Sequence, residues 1–219
     1  MGIGQRLHDE TKSLHTTAER SGVMQELLRG TISASAYAAL LSSLRAIYAA
    51  LEEGLRSHAD APTLAGLDAS AFARTAALES DLAALAGDPA EWPAPHAVAA
   101  AYAAHVAERS RTRPELLLAH AWLRYLGDLN GGQILSRVIR SHQALAMLPT
   151  AFYEFPALAD PRAAAAQWRA ALDAAPLSGD QHDALVAEAQ DGFRRHIALF
   201  EALATRPSAS HVPVSSPSA

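Results

Sequence analysis

Apolar residues recur at the three- and four-residue spacing of an α-helix through most of this sequence, and this pattern constrains the fold more than any other feature. The clearest case is a set of apolar positions on one helix face, with charged residues opposite. They are Tyr37, Leu40, Leu41, Leu44, Ile47, Tyr48, Leu51 and Leu55. No stretch of useful length alternates apolar and polar residues as a half-buried strand does. The sequence therefore predicts an all-α fold.

Local signals mark the ends of two further long helices. Ser178 and Gln181 form a capping-box pattern, which predicts a helix that begins there and ends near Thr205. Pro114 suits the first position of a helix that continues to about His142. Shorter helical patterns cover residues 3–19, 69–85, 96–110 and 161–172. Helices without strands or a fixed repeat predict a helical bundle.

Length and composition indicate one domain. The 219 residues, half of them hydrophobic, suffice for one well-buried core. We expect a helical domain over residues 1–205 and a disordered tail over residues 206–219, which are rich in serine and proline. The N-terminus does not resemble a signal peptide, and no run reaches the roughly 18 apolar residues of a membrane span. We therefore expect a cytoplasmic protein that does not bind membranes.

Charge and cysteine content exclude several functions. The net charge of −5 argues against general binding of nucleic acid. The absence of cysteine excludes disulfides, thiolate-bound zinc, iron–sulfur clusters and cysteine-bound heme. Because no G-x-G-x-x-G fingerprint occurs either, electrons for any redox reaction must come from another protein.

Three glycines interrupt the helix that is predicted to begin at Pro114. Gly127, Gly131 and Gly132 each cost about 1 kcal/mol relative to alanine inside a helix. Gly127 and Gly131 face the same way and leave a flat floor. Either another helix packs closely against this floor, or a flat ligand needs the bare backbone, and a bend can accompany both. The residues alone leave both explanations open.

His15 has polar neighbours one turn away on each side. Lys12 precedes it and Glu19 follows it on nearly the same helix face. A neutral imidazole can bind iron through one nitrogen while the other donates to Glu19, and Lys12 can meet an anionic edge of the ligand. The alternative is three solvated polar residues. Because the chain has ten histidines, the spacing alone does not select His15.

Two segments of the chain resemble the signature segments of heme oxygenases. They are residues 7–19, Leu-His-Asp-Glu-Thr-Lys-Ser-Leu-His-Thr-Thr-Ala-Glu, and residues 124–133, Arg-Tyr-Leu-Gly-Asp-Leu-Asn-Gly-Gly-Gln. The resemblance continues through residues 47–53, 152–156, 168–169 and 199–201. It implies a bundle that holds heme, as cofactor and substrate, between a proximal helix and a kinked distal helix. It also implies cleavage of heme to biliverdin, carbon monoxide and ferrous iron, with molecular oxygen and external electrons.

The resemblance also assigns roles to residues. His15 is the implied iron ligand. The implied heme-binding residues are His8, Lys12, Glu19, Trp122, Gly127, Gly131, Arg169 and Phe200. The implied catalytic residues are Tyr48, Arg124, Gly127, Asp128 and Gly131, with Asp128 ordering waters that deliver protons. The chain departs from the family pattern at four positions. His8 and Ala165 stand where lysines are familiar, Trp122 stands in place of a tyrosine, and His196 stands in place of an asparagine. Fewer cations are therefore expected to hold the heme propionates. The resemblance implies cleavage at the alpha meso carbon of heme.

The external electrons imply a partner protein, which we expect to be a ferredoxin or a flavin reductase. An acidic donor would dock on basic residues. The candidates are Arg6, Lys12, Arg137, Arg140, Arg194 and Arg195, which would look the same if they only solvated helix faces. Three other functions are the alternatives. They are a non-catalytic heme carrier or storage protein on the same fold, a helical interaction module, and a di-iron bundle, for which the chain lacks Glu-x-x-His pairs.

Overall fold

The computed structural model describes residues 2–204, and in that range it contains helices and turns but no strand. The α-helices are α1 Ile3–Glu19, α2 Gly22–Leu28, α3 Ala34–Ser57, α4 Thr75–Ala86, α5 Ala97–Thr112, α6 Leu117–Ala121, α7 Gly127–Ser141, α8 Pro161–Ala174 and α9 Gly179–Leu203. The all-α prediction is confirmed. The predicted domain boundary at residue 205 stays a prediction, and the tail over residues 206–219 lies outside the described residues.

The two longest helices, α3 and α9, organise the core. Helix α3 packs against α4 and α5, while α9 packs against α1, α2, α5 and α6. All the apolar positions predicted to lie on one face of α3 are buried, from Tyr37 to Leu55. The capping box of α9 is present as predicted: Gln181 N donates to Ser178 Oγ over 3.3 Å, and Ser178 N donates to Gln181 Oε1 over 2.9 Å.

Helix α3 also satisfies a simple test for a membrane span. Within residues 2–204 it is the one helix long and apolar enough to cross a membrane, and 56% of the relevant window is buried inside the protein. The central helix of a folded bundle passes the same test of length and composition. Its contacts with α4 and α5 identify α3 as such a core helix.

Two helices in the N-terminal half of the chain differ from the prediction. The helix expected over residues 69–85 begins at Thr75, after a short 3-10 turn at Ser70–Phe72. The reason is a cap from another helix: a carboxylate oxygen of Glu52 accepts from Arg74 N over 2.6 Å and from Thr75 N over 3.1 Å. Helix α2 was not predicted. It spans only seven residues and is held by packing against α9.

The glycine-bearing helix is continuous but irregular. It begins with a 3-10 turn at Pro114–Leu116, continues as α6, and then contains a π-helical turn at Trp122–Leu126 before α7. A π turn holds one residue more than an α turn and is a common cause of bends. The irregularity thus ends where Gly127 begins α7, close to the predicted kink.

Candidate active site

A cavity of about 670 Å³ lies between α1 and the helix formed by the π turn and α7. This volume is typical of a site for a small molecule or cofactor. The predicted site residues that line it are His8, Lys12, His15, Glu19, Trp122, Gly127, Gly131 and Arg169. The structure therefore brings the two signature segments together across one groove.

The three glycines of α7 serve two different purposes. A Cβ atom added to Gly127 or Gly131 would meet nothing within 4 Å, and both residues line the cavity. A Cβ atom added to Gly132 would lie 3.3 Å from Cδ1 of Tyr153. Gly127 and Gly131 thus form an open floor, whereas Gly132 permits close packing. Close packing therefore accounts for Gly132 only, and no other described element packs against the positions that a Cβ atom would take at Gly127 and Gly131.

His15 faces the cavity from α1. Its side chain is 54% exposed, and Nδ1 lies 3.8 Å from Oε1 of Glu19. Its ring packs edge-on against Phe193, with 5.9 Å between the ring centroids. Neither ring nitrogen makes a hydrogen bond to a residue in the described range. The imidazole is therefore available as a metal ligand, with a carboxylate near its other nitrogen.

A buried polar network lies next to the glycine floor. Arg124 Nη2 donates to both oxygens of Asp128, over 2.8 and 2.7 Å, and Tyr48 Oη also donates to Asp128. Arg124 Nη1 lies 3.0 Å from His196 Nε2, and His196 Nδ1 lies 2.9 Å from the Gly192 carbonyl oxygen. Because a carbonyl only accepts, Nδ1 of His196 carries the proton and Nε2 accepts from Arg124.

Burial controls the protonation of this network. Burial raises the pKa of Asp128, although the charge of Arg124 opposes the change. Burial lowers the pKa of Arg124, but the charge of Asp128 outweighs it and the net pKa is raised. Burial and the charge of Arg124 together hold the pKa of His196 well below its ordinary value. His196 is therefore neutral at pH 7, as its hydrogen bonds require.

Other predicted residues lie outside the cavity wall. Tyr48, Arg124 and Asp128 do not line the cavity, although Asp128 follows Gly127 directly in the chain. Phe200 is 4% exposed, packs against the His196 ring and does not line the cavity. The aromatic residue of α9 that does line it is Phe193, which was not predicted as a site residue.

Sequence reasoning missed Asp173, a second residue of α8 that lines the cavity beside the predicted Arg169. Arg169 and Asp173 both line the cavity from α8, and Oδ1 of Asp173 accepts a hydrogen bond from the backbone N of Gly4 over 2.7 Å. This bond fixes the start of α1 against α8. The only available signal was the four-residue spacing of Arg169 and Asp173, which is common on helix surfaces.

The fold and the cavity define an all-helical protein with a ligand-sized cavity between a histidine-bearing helix and a glycine-bearing helix. The particular family follows from comparison with known proteins. The family model for heme oxygenase matches residues 1–202, and the chain belongs to the heme oxygenase family. It is an enzyme that degrades heme.

Relatives and solved structures agree with this assignment. The chain is 34% identical to heme oxygenase 1 of Nostoc sp., with 92% of this chain and 85% of the relative covered. It superimposes on a heme oxygenase-1 structure from Synechocystis sp. in complex with heme, with a TM-score of 0.88, 33% identity and coverage of 93% and 92%. A heme oxygenase structure from Leptospira interrogans gives a TM-score of 0.86 at 30% identity, with coverage of 92% and 100%.

Proposed function

We propose that this chain cleaves heme to biliverdin, carbon monoxide and ferrous iron in the cavity between α1 and α7. The observation that carries the proposal is the pairing of an unbonded imidazole, His15, with the open floor at Gly127 and Gly131 across one cavity. Heme supplies the iron at which molecular oxygen is activated, and a separate protein supplies the electrons. A carrier on the same fold would bind heme without consuming it.

The residues of the cavity fit heme by their chemistry. His15 offers an imidazole for the iron, with Glu19 near its Nδ1 atom to orient the ring. Lys12 and Arg169 are cations at the cavity wall and suit the two propionates. Apolar residues suit the porphyrin faces and edges: Leu123, Leu126, Ile134 and Phe193. The bare backbone at Gly127 and Gly131 suits a flat ring that must approach the helix closely.

The floor and the buried network have separate tasks in this proposal. Gly127 and Gly131 would bound the space beside bound heme with backbone and not with a side chain, and would thereby restrict where oxygen could lie. Asp128, fixed by Arg124 and Tyr48, orders the waters that deliver protons to the reaction. The π turn at Trp122–Leu126 gives the distal helix a weak point, at which it can loosen to admit heme and release product.

We propose that the electron donor, a ferredoxin or a flavin reductase, docks on the basic residues named above. Several of the candidates also hold local ion pairs, which fix their positions: Arg6 with Glu10 over 3.0 Å, and Arg195 with Asp191 over 2.5 Å. We also propose that the enzyme acts in the cytoplasm, and the packing of α3 against α4 and α5 is consistent with a core helix of the bundle.

The test is a turnover assay on the purified chain. Hemin, a reductant and oxygen are added, and the absorbance of biliverdin and the carbon monoxide released are measured. We expect both products from the unchanged chain and neither from His15→Ala. Heme that binds stoichiometrically but survives the reaction would favour the carrier function instead.

A further inference from the structure

Three potential metal ligands converge outside the heme cavity, where α5, α6 and α9 meet. They are His105 of α5, His120 of α6 and Glu188 of α9, and one donor atom from each lies within 4.8 Å of the other two. Nε2 of His120 lies 3.1 Å from Oε1 of Glu188, and Nε2 of His105 contacts the same oxygen. None of the three lines the heme cavity.

The second polar atom of two of the ligands, His120 and Glu188, is held by another residue. Nδ1 of His120 lies 2.9 Å from Oη of Tyr102. Oε2 of Glu188 accepts from Nε of Arg109 over 3.0 Å. Such outer partners fix the tautomer and orientation of ligands in protein metal sites.

Two of the three ligands are shielded from solvent, since His120 and Glu188 are both buried. Carboxylate and imidazole donors that face one another are the groups that bind divalent transition metals in proteins.

We propose that His105, His120 and Glu188 bind one divalent transition cation of the zinc class, separately from heme. Two imidazoles and one carboxylate with an open coordination position are a donor set that suits zinc. Oδ2 of Asp191 lies 3.7 Å from Nε2 of His105 but already accepts from Nε of Arg195 over 2.5 Å, so the fourth position is left for water. The bound ion would cross-link α5, α6 and α9 next to the π turn at Trp122–Leu126.

Binding requires the proton on each Nε2 atom to leave. In His120 the proton moves to Nδ1, which then donates to Tyr102 Oη. In His105 the Nδ1 atom now lies 3.2 Å from Nη2 of Arg195, so Arg195 must turn fully to Asp191, which it already contacts over 2.5 Å. The cation enters through His105, whose side chain is 16% exposed while His120 is 1% exposed.

The experiment is a titration of the heme-free chain with Co²⁺, after treatment with a chelator. We expect one tightly bound Co²⁺ per chain, with visible absorption bands of nitrogen and oxygen coordination and a raised melting temperature. His105→Asn removes a ligand near the surface and is expected to weaken this binding at least tenfold. Any binding at His15 and Glu19 persists in that variant, so the difference belongs to the cluster.

Two further variants test whether Co²⁺ binding depends on this cluster. His182→Asn removes another histidine of α9 and is expected to bind Co²⁺ like the unchanged chain. Tyr102→Phe keeps all three ligands but removes an outer partner, and is expected to weaken Co²⁺ binding about 10- to 100-fold. The proposal is overturned if no saturable binding occurs, or if His105→Asn binds Co²⁺ as tightly as the unchanged chain. The cluster is then a hydrogen-bonded contact only.

Discussion

Arg124 and His196 form a hydrogen bond of 3.0 Å between two buried side chains, one in the π turn and one in α9. The bond exists because His196 is neutral and its Nδ1 proton is directed to the Gly192 carbonyl. Arg124 in turn holds both oxygens of Asp128. By the family resemblance an asparagine is familiar at position 196. The histidine thus preserves an acceptor for Arg124 with a different side chain.

We expect His196→Leu to lower the free energy of unfolding and slow heme turnover. The variant leaves Nη1 of Arg124 buried without its acceptor, and hydrogen bonds to charged groups contribute about 1.5–3 kcal/mol. Urea unfolding measures the stability, and biliverdin formation under saturating heme measures turnover. The control is His196→Asn, whose amide oxygen can accept from Arg124. If His196→Asn loses as much as His196→Leu, the role of His196 is packing and not hydrogen bonding.

A bulky residue at Gly131 is expected to separate folding from heme binding. The space beside Gly131 is open, so Gly131→Leu should not strain the protein, and removing a helical glycine can add up to about 1 kcal/mol of stability. The new side chain projects into the cavity, and we expect heme affinity to fall at least tenfold. Gly132→Leu is the matched comparison, because it meets Tyr153 and should destabilise the fold. If Gly131→Leu binds heme with unchanged affinity, the backbone at Gly127 and Gly131 does not contact heme as proposed.

His15→Ala is expected to fold normally and to lose the iron ligand. The side chain is 54% exposed, so truncation removes little packing. The absorption spectrum of the hemin complex should change from that of a histidine-ligated iron, and added imidazole should restore it. His8→Ala, on the same helix and also at the cavity wall, should keep the ligated spectrum. A ligated spectrum in His15→Ala without added imidazole contradicts the assignment.

Much of the architecture could be read from local patterns in the chain. The buried face of α3 and the capping box of α9 depend on residues close in sequence, so the sequence predicts them well. The start of α4 depends on a carboxylate from Glu52, and α2 depends on packing against α9. Such contacts between distant residues leave no local signal, which explains why these two elements were predicted wrongly or not at all.

The candidate site, too, could be predicted only in part from the sequence. The groups on α1 and α7 belong to two recognisable segments, and the structure brings them to one cavity. Phe193 and Asp173 line that cavity because α8 and α9 pack beside it, which the spacing of single residues does not reveal. The cluster of His105, His120 and Glu188 joins three helices and was invisible for the same reason.

Stability should fall as the pH drops below about 6.5, the ordinary pKa of histidine. His120 and His196 are neutral in the folded protein because burial lowers their pKa values, whereas they gain protons in the unfolded chain. Each contributes stability that is present above pH 6.5 and is lost, at up to about 1.4 kcal/mol per pH unit, as the pH falls toward its folded pKa. Urea unfolding between pH 7.5 and pH 5.5, with a chelator present, measures the slope. His196→Asn should show a shallower slope, and an equal slope would contradict this origin.

Asp128→Asn is expected to bind heme normally but to form biliverdin at least tenfold more slowly. The amide keeps acceptor and donor groups near Tyr48 and Arg124, but it loses the charge that orders proton-delivering waters, and such proton transfer contributes about 10²- to 10⁴-fold to rates. Asp128→Ala is a poorer test, because an unpaired buried arginine costs about 3–5 kcal/mol. Single-turnover assays separate the chemical step from heme affinity, and Glu201→Gln on the exposed face of α9 is the control. A normal rate in Asp128→Asn would reduce Asp128 to a structural partner of Arg124.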